Sequence, residues 1–352
     1  MTKPKKVLER ISNYYPSRNF LKMKIIPIIK LKSKSSIYSA GFNQKTKIIC
    51  LPVTSENSVY FYKLGNNKPI SIISLNNLKP DIANFIDDEK WIIGCQDSSA
   101  PIIITQKKIL KTIDIPNKKF FATSIKKSEK GKLFIGNLNG RPIILENESI
   151  HEINISIEST YDCVWISEEY LIISCYRNNK IILLKKTGKS SRIIQSIDIA
   201  YPYRFSPLIN SKIILTARGW KKRPGKVFIL QIKYEKENNL IPKMEITKEI
   251  IIKENYFLWQ RILPSIILNQ FGYENYTGYI NDVAWIDKEN FIITTREGNS
   301  IISLDVFGNV KNIFRFRKFR PTRFISSRMP ENKLILIDAF QARVMEIVKK
   351  TL

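Results

Sequence analysis

Acidic side chains recur at matching places along this chain of 352 residues. Asp162 opens the stretch "DCVWISEEYLIISCYRNNKIILLKKTG" and Asp282 opens "DVAWIDKENFIITTREGNSIISLDVFG", and the two stretches are identical at 11 of 27 positions. Carboxylates that surround one point can hold a divalent cation through oxygen ligands. An Asp at the start of a strand also bonds backbone N–H groups locally. We favour the structural role, because recurrence in matching units indicates a task performed within each unit.

Arginines form a second recurring set. Arg177, Arg218 and Arg296 fall near comparable bends, whereas Arg204 and Arg323 lie where apolar runs begin. A guanidinium group pairs with a carboxylate or phosphate through two parallel hydrogen bonds. The five arginines are therefore a candidate anion-binding crescent. The alternative is that they are solvated bend residues.

The residues that the sequence lacks exclude several kinds of catalytic site. His151 is the only histidine, and its context "SIHEINISI" is typical of an exposed outer strand, so neither a Ser-His-Asp triad nor a multi-histidine metal site is expected. No P-loop is present, and no GxGxxG motif follows a strand. Apolar runs without a CxxC pair predict buried thiols at all four cysteines, namely Cys50, Cys95, Cys163 and Cys175.

The chain is strongly basic, with 58 Lys and Arg against 31 acidic residues and a formal charge of +27. Such a charge attracts an acidic protein, nucleic acid, a glycan or an anionic membrane surface. The alternative source is an AT-rich genome, although that bias should also supply Asp and Glu. The start of the chain has no continuous apolar stretch, so we expect no secretory signal and a cytoplasmic location.

Short β-branched runs separated by polar turns indicate antiparallel strands that must position these side chains. One such run recurs at 47–51, 91–95, 132–136, 170–174, 212–216, 291–295 and 333–337. Five of the six spacings are near 40 residues, as in four-stranded propeller blades, and the fifth spacing is 79. The sequence therefore predicts an all-β, seven-bladed β-propeller over residues 21–352. A basic tail covers 1–20, and a partly helical insertion, or alternatively a degenerate eighth blade, lies near 235–275.

The last repeat supplies three strands, and "KMKIIPIIKLK" (22–32) has no repeat of its own. This N-terminal strand is predicted to complete the last blade, with Pro27 acceptable on an outermost strand. We expect a ligand-binding mouth where the innermost strands begin. Trp165 and Trp285, which occupy equivalent positions, are expected to pack between blades.

At this point the chain resembles a known group. "NKLILIDAFQARVMEI" (332–347) and "EYLIISCYRNNKIILL" (169–184) are similar to NHL-type repeats. WD40 proteins are similar in architecture, but their Trp-Asp dipeptide and Gly-His pair are missing. The resemblance implies a propeller of this superfamily. It also leaves open a gluconolactonase-like hydrolase, in which Asn137, Asp282 and Asp338 would surround one divalent cation.

Two functions are therefore carried forward. The first is a non-catalytic binding protein without a cofactor, which recognises an acidic protein, a nucleic acid or a glycan through Arg177, Arg204, Arg218, Arg296 and Arg323, with Asp162 and Asp282 nearby. The second is the metal-dependent lactonase or hydrolase, with a lid at 256–273. Association with a membrane surface through the basic tail and this apolar segment is a weaker possibility.

Overall fold

The computed structural model describes the chain as short antiparallel strands. The described residues are 23–31, 35–96, 100–115, 120–147, 149–157, 159–188, 190–219, 224–234, 241–252, 280–295, 300–315, 321–325, 333–339 and 342–349. Within these ranges the helical content is a single 3-10 turn at Thr54–Glu56. The predicted all-β class is confirmed.

The strands of the described residues form seven four-stranded sheets, which are the seven predicted blades. Blade one contains β2 (Gly41–Asn43), β3 (Ile48–Val53), β4 (Ser58–Lys63) and β5 (Ser71–Ser74). Blade two contains β6 (Pro80–Phe85), β7 (Trp91–Cys95), β8 (Ile102–Ile104) and β9 (Ile109–Thr112). Blade three contains β10 (Ala122–Lys127), β11 (Leu133–Asn137), β12 (Ile143–Glu146) and β13 (Ser149–Glu152).

Blades four to seven follow the same order. Blade four contains β14 (Asp162–Trp165), β15 (Tyr170–Cys175), β16 (Lys180–Thr187) and β17 (Ser190–Asp198), and blade five contains β18 (Pro202–Phe205), β19 (Lys212–Ala217), β20 (Gly225–Tyr234) and β21 (Pro242–Ile252). Blade six contains β22 (Ile280–Trp285), β23 (Asn290–Thr295), β24 (Ser300–Asp305) and β25 (Val310–Arg315). Blade seven contains β26 (Pro321–Phe324), β27 (Lys333–Asp338), β28 (Arg343–Lys349) and β1 (Met23–Lys30).

The ring closes as the sequence predicts. β1 pairs antiparallel with β28, which places Ile25 opposite Ile347, and a bulge follows Pro27. β1 is the outermost strand of blade seven, so one edge of Pro27 faces no neighbouring strand. N-terminal and C-terminal strands thus share one sheet, and neither leaves an open edge between the first and last blades.

The hydrophobic core lies between blades. The described residues form seven buried clusters, one at each contact between consecutive blades, including the contact of blade seven with blade one. Trp285 packs in the cluster between blades five and six, and its Nε1 donates to Pro207 O at 2.8 Å. Trp165 packs between blades three and four. Each sheet therefore buries its apolar faces only against its neighbours, as expected for both tryptophans.

The long spacing in blade five has a different origin from the predicted insertion. Within the range 235–275, residues Pro242–Ile252 are a strand, β21, which pairs with β20 over ten residues and completes blade five. A long hairpin therefore fills part of this range, and helix is not supported in its described part. The proposed lid at 256–273 and the tail at 1–20 lie outside the described residues. No apolar helix of membrane-spanning length occurs within the described ranges.

Candidate functional site

The first strand of each blade lies at the centre of the ring, because these strands contact one another from β2 through β6, β10, β14, β18 and β22 to β26. We call the side on which they begin the upper face and the other the lower face. In β6, β10, β18, β22 and β26 the pairing with the second strand shifts at the upper end. Each bulge inserts a residue that is not paired and changes the direction in which the side chains point at this end of the strand.

Four equivalent inner-strand positions in blades four to seven alternate in charge. They are occupied by Asp162, Arg204, Asp282 and Arg323, which lie opposite Ser174, Thr216, Thr294 and Ile337 of the second strands. In blade two the equivalent position is Ile82, opposite Gly94. The channel therefore contains neither an acidic cage nor a basic crescent, but an alternating row of charges that we call the charged arc.

Both aspartates of the arc connect neighbouring blades. Asp162 Oδ2 accepts a hydrogen bond from the backbone N–H of Phe205 in blade five at 3.0 Å. Asp282 Oδ2 accepts one from the N–H of Phe324 in blade seven at 2.9 Å. Asp282 Oδ1 also accepts from Val283 N at 2.9 Å. The predicted structural role of these carboxylates has geometric support, but both carboxylates bond the next blade, and only that of Asp282 also bonds its own strand.

Asp162 is fully buried between two cations. Arg204 Nη1 lies 3.7 Å from Asp162 Oδ1, and Lys126 Nζ lies 3.6 Å from Asp162 Oδ2. Arg204 Nη2 donates to Thr123 O in blade three at 3.1 Å, so this side chain crosses blade four. Burial alone would lower the pKa of Arg204, but Asp162 and the neighbouring Tyr161 raise it above the usual value. Arg204 therefore remains charged inside the channel.

The other charges of the channel act on one another. Burial raises the pKa of Asp282, although Arg204 and Arg323 oppose this shift. Burial also raises the pKa of Asp81, the bulge residue of blade two, against the effect of Arg323. The pKa of Arg323 is lowered by burial and by the like charge of Arg204. The two arginines therefore repel each other across Asp282, which stands between them in the ring.

A cavity of about 670 Å³ occupies the channel on the lower side of the charged arc. Its walls come from the arc and the lower halves of the inner strands, including Phe42, Asn84, Lys126 and Ile325, and it extends to the exposed Gln44 in the bend after β2. The sequence predicts a ligand-binding mouth on the upper face, whereas this cavity lies toward the lower face.

The upper side of the arc at blades four and five is filled by tyrosines. Tyr161 and Tyr203 have ring centroids 4.1 Å apart and share a hydrogen bond between their hydroxyls at 2.7 Å. Arg218 stacks on the Tyr203 ring at 4.0 Å and donates to its hydroxyl at 2.6 Å. Tyr176 packs 5.7 Å from Tyr161. Its neighbour Arg177 is exposed, at the bend between β15 and β16.

The five predicted arginines are thus divided. Arg204 and Arg323 lie in the channel, Arg218 is half-buried on the tyrosine cluster, and Arg177 faces solvent on the upper side. Arg296 lies outside the described residues.

The proposed metal ligands lie in different settings. The Asn137 side chain is engaged in its own turn, where Oδ1 accepts from Phe121 N and Asn139 N. Asp282 accepts the two backbone bonds described above, and Asp338 is buried at the end of β27 in blade seven. Among the described residues, no three His, Cys, Asp or Glu side chains are grouped to hold a metal ion. The four cysteines are buried free thiols, as predicted, and burial raises the pKa of Cys50 well above its usual value.

Two participants were not foreseen from the sequence. Lys126 reaches Asp162 from blade three, and Tyr161 stacks beside Arg204, with the guanidinium carbon 4.8 Å from the ring centroid. Side chains two residues apart on a strand share a face. Lys126 follows Ser124 by two residues, and Ser124 precedes Asp162 by 38 residues, a spacing close to one blade. Alternation along the strand, counted from Ser124, is therefore the sequence signal that could have placed Lys126 on the same face as the charged arc.

The chain matches no protein-family model and no curated protein. Among solved structures it is similar to a catalytically inactive histidine-to-alanine variant of virginiamycin B lyase from Staphylococcus aureus with quinupristin, at TM-score 0.69 and 13% identity over 94% of this chain and 100% of that one. The β-propeller domain of Cps50 (Swd1) from Myceliophteria thermophila gives TM-score 0.67 and 10% identity, covering 94% of this chain and 100% of that chain. The chain is a seven-bladed β-propeller.

The WD40 propeller domain of Doa1 is also similar to this propeller, at TM-score 0.66 and 9% identity over 93% of this chain and 98% of that one. The matches include both an enzyme and WD40 domains. They agree with the resemblance to WD40-like and NHL-like propellers, and at these identities they establish the fold alone.

Proposed function

We propose that this propeller is a non-catalytic binding protein whose upper face recognises an acidic polypeptide. The observation that carries the proposal is the unequal distribution of charge between the two faces. On the upper face, the bends between second and third strands in blades three, four and five contain Arg141, Arg177 and Arg218. Arg141 and Arg177 are exposed and make no ion pair with any described residue.

The described lower-face bends between inner and second strands contain both acids and lysines, with a small excess of acids. The acids are Asp87, Asp88, Glu89, Glu129, Glu168, Glu169, Asp287 and Glu289, and the lysines are Lys45, Lys47, Lys90, Lys130, Lys132 and Lys288. A long polyanion that wrapped around the ring would meet these carboxylates. A short acidic segment that stays on the upper face would not, and its carboxylates match the forked geometry of single arginines set one per blade.

The net charge gives further support. Even if every acidic side chain neutralised one cation, 27 cations would have no acidic partner in this chain. The channel does not account for this surplus, because Asp81, Asp162 and Asp282 face Lys126, Arg204 and Arg323 there. The unpaired cations are therefore available to an external anion.

Fluorescence anisotropy with a labelled polyglutamate peptide tests the proposal, with single-stranded RNA of equal charge as the competing class. The variant Arg141→Gln/Arg177→Gln should bind polyglutamate about tenfold more weakly, if each lost pair contributes about 0.7 kcal/mol. The single variant Arg177→Gln should bind about threefold more weakly. Arg192→Gln is its matched control, because Arg192 is exposed on the outer strand β17 and each of these two variants removes one positive charge.

An equal loss in the control would mean that net charge alone attracts the peptide, and would refute a site on the upper face. Tighter binding of RNA than of polyglutamate, with a steep decrease in affinity as salt rises, would replace the acidic polypeptide by nucleic acid.

The catalytic alternatives have less support. The lyase in the comparison is inactive when a histidine is replaced; here His151 lies on the outer strand β13, away from the channel. A gluconolactonase-like reaction would need a divalent cation at Asp282 or its neighbours. Thermal denaturation with Ca²⁺, Zn²⁺ and Mn²⁺ tests it, because a bound metal raises the melting temperature.

A further inference from the structure

The channel cavity is distinct from the upper-face surface and has a different chemistry. Five charged residues line it, of which Lys126, Lys127, Arg204 and Arg323 are cations and Asp282 is the acid. The Asp282 carboxylate already accepts hydrogen bonds from two backbone N–H groups. Its capacity to repel a second anion is therefore reduced. At the cavity wall itself the cations outnumber this acid, while Asp162 behind the wall neutralises part of the charge of Arg204 and Lys126.

One of these cations has a donor that no described residue uses. Arg204 is 6% exposed, and its Nη1 has no hydrogen-bond partner among the described residues, because the 3.7 Å separation from Asp162 Oδ1 is too long for one. A buried guanidinium N–H without an acceptor is unfavourable. An oxyanion at the cavity wall would supply the acceptor.

A second contribution is the repulsion between Arg204 and Arg323. Burial is the main cause of the lowered pKa of Arg323, and the like charge of Arg204 lowers it further. An anion placed beside both guanidinium groups would be attracted to each and would screen this repulsion. The lower dielectric of a partly enclosed cavity strengthens such attraction relative to an exposed surface.

The size and walls of the cavity limit the ligand. A volume of about 670 Å³ lies within the range of roughly 300–1,000 Å³ that is usual for small-molecule sites. Ala40, Phe42, Ile82 and Ile325 add apolar surface next to the cations. A macromolecule does not fit, whereas a small organic molecule with a compact anionic head group does.

We propose that the channel is a binding site for a small oxyanion that enters from the lower face. Its carboxylate or phosphate head group is held by Arg204 and Arg323, with Lys126 assisting. Its ligand differs from the acidic polypeptide of the upper face, and either site can exist without the other.

Isothermal titration calorimetry of the full chain with inorganic phosphate and with succinate, in a background of about 0.15 M NaCl that screens surface charges, tests this proposal. We expect saturable binding of at least one probe with one site per chain. Saturation by phosphate alone identifies a phosphate head group, and saturation by succinate alone identifies a carboxylate. If neither probe saturates, or many weak sites appear, the proposal is overturned.

Arg323→Gln should weaken the saturable probe about tenfold or more, because a charge-assisted pair is lost. Arg177→Gln, with the same charge change on the upper face, should leave it unchanged. If Arg323→Gln does not fold, Lys126→Gln replaces it, since the Lys126 side chain is one-third exposed. Equal weakening by Arg177→Gln would place the anion on the outer surface and refute the channel site. The polyglutamate assay should show the opposite pattern, so the two proposals can fail separately.

Discussion

Replacement of Asp282 by alanine should weaken the contact between blades six and seven more than any exposed acid-to-alanine change. The Asp282 carboxylate accepts from Val283 N and from Phe324 N, each at 2.9 Å, and both of these residues are buried. Alanine offers neither N–H an acceptor, and only solvent in the adjoining channel cavity could replace the carboxylate. Two buried donors would then lack a protein partner.

The magnitude follows from these two bonds. An unpaired buried donor costs about 1–3 kcal/mol, so two cost about 2–6 kcal/mol. Removal of a desolvated carboxylate returns part of this, while Arg204 and Arg323 lose a counter-charge. We expect a net decrease in the free energy of unfolding of about 2–4 kcal/mol. Asp282→Asn retains one acceptor oxygen and should lose about half as much.

Urea denaturation at neutral pH measures these differences. Asp198→Ala is the control, because Asp198 is exposed at the end of β17, and it should change the free energy of unfolding by less than about 0.5 kcal/mol. The argument is refuted if Asp282→Ala behaves like this control. Equal losses for the alanine and asparagine variants would show that charge, and not the backbone bonds, determines the effect.

Three further changes test other parts of the fold. Gly136→Ala would place a Cβ 2.4 Å from Thr123 Oγ1, so it should lower the free energy of unfolding by about 1–3 kcal/mol; a neutral result in urea denaturation would contradict the tight approach of β10 and β11. Trp285→Phe removes the hydrogen bond to Pro207 O and should lower the free energy of unfolding by about 1 kcal/mol more than Trp91→Phe does. The reason is that the buried Trp91 Nε1 has no hydrogen-bond partner among the described residues. Equal decreases for the two variants would argue against the Trp285 bond. Burial alone would raise the pKa of Asp305, but bonds from Lys311 and Asn309 lower it below the ordinary value of 3.8. The ionised carboxylate therefore stabilises the folded state fully above pH 3.8, and this stabilisation is lost as the pH falls through the lowered pKa. The stability difference between wild type and Asp305→Asn should therefore shrink in acid, and a difference that stays constant down to pH 2, measured by urea titrations, would exclude this linkage.

The ring could be predicted because each blade repeats the same pattern of buried strands in the sequence. The runs at 170–174 and 291–295 are apolar on both faces, since each second strand is covered by a blade on either side, and this pattern survives in the sequence. The strand Pro242–Ile252 was assigned to an insertion because the hairpin β20–β21 is longer than those of other blades. Residue counts alone cannot separate a lengthened hairpin from an inserted segment.

The site was less accessible to sequence reasoning. The match between Asp162 and Asp282 showed that the two residues perform one task, but not that the bond partner is the next blade, which begins about 40 residues later. The sequence predicts one crescent of arginines because the starts of inner strands and the bends between second and third strands lie on the same face of a blade, and it does not reveal the bulges. In the structure the bulges and the direction of each inner strand place Arg204 and Arg323 in the channel, apart from Arg177.

The shortage of acidic residues and the closure of the ring are connected. Many of the described acids connect one blade to the next: Asp88 binds Lys45 and Asn43 of blade one, Glu168 accepts from Ser128 Oγ of blade three at 3.0 Å, and Glu146 pairs with Lys186 of blade four at 2.9 Å. Acids in such positions neutralise cations at the contacts between blades, and no described acid pairs with Arg141 or Arg177 of the upper face. An acid added beside Arg177 would not be needed for closure and would remove the feature on which the proposed recognition depends. The described acids therefore serve contacts between blades, whereas the exposed Arg141 and Arg177 can attract an external anion, as the proposed recognition requires.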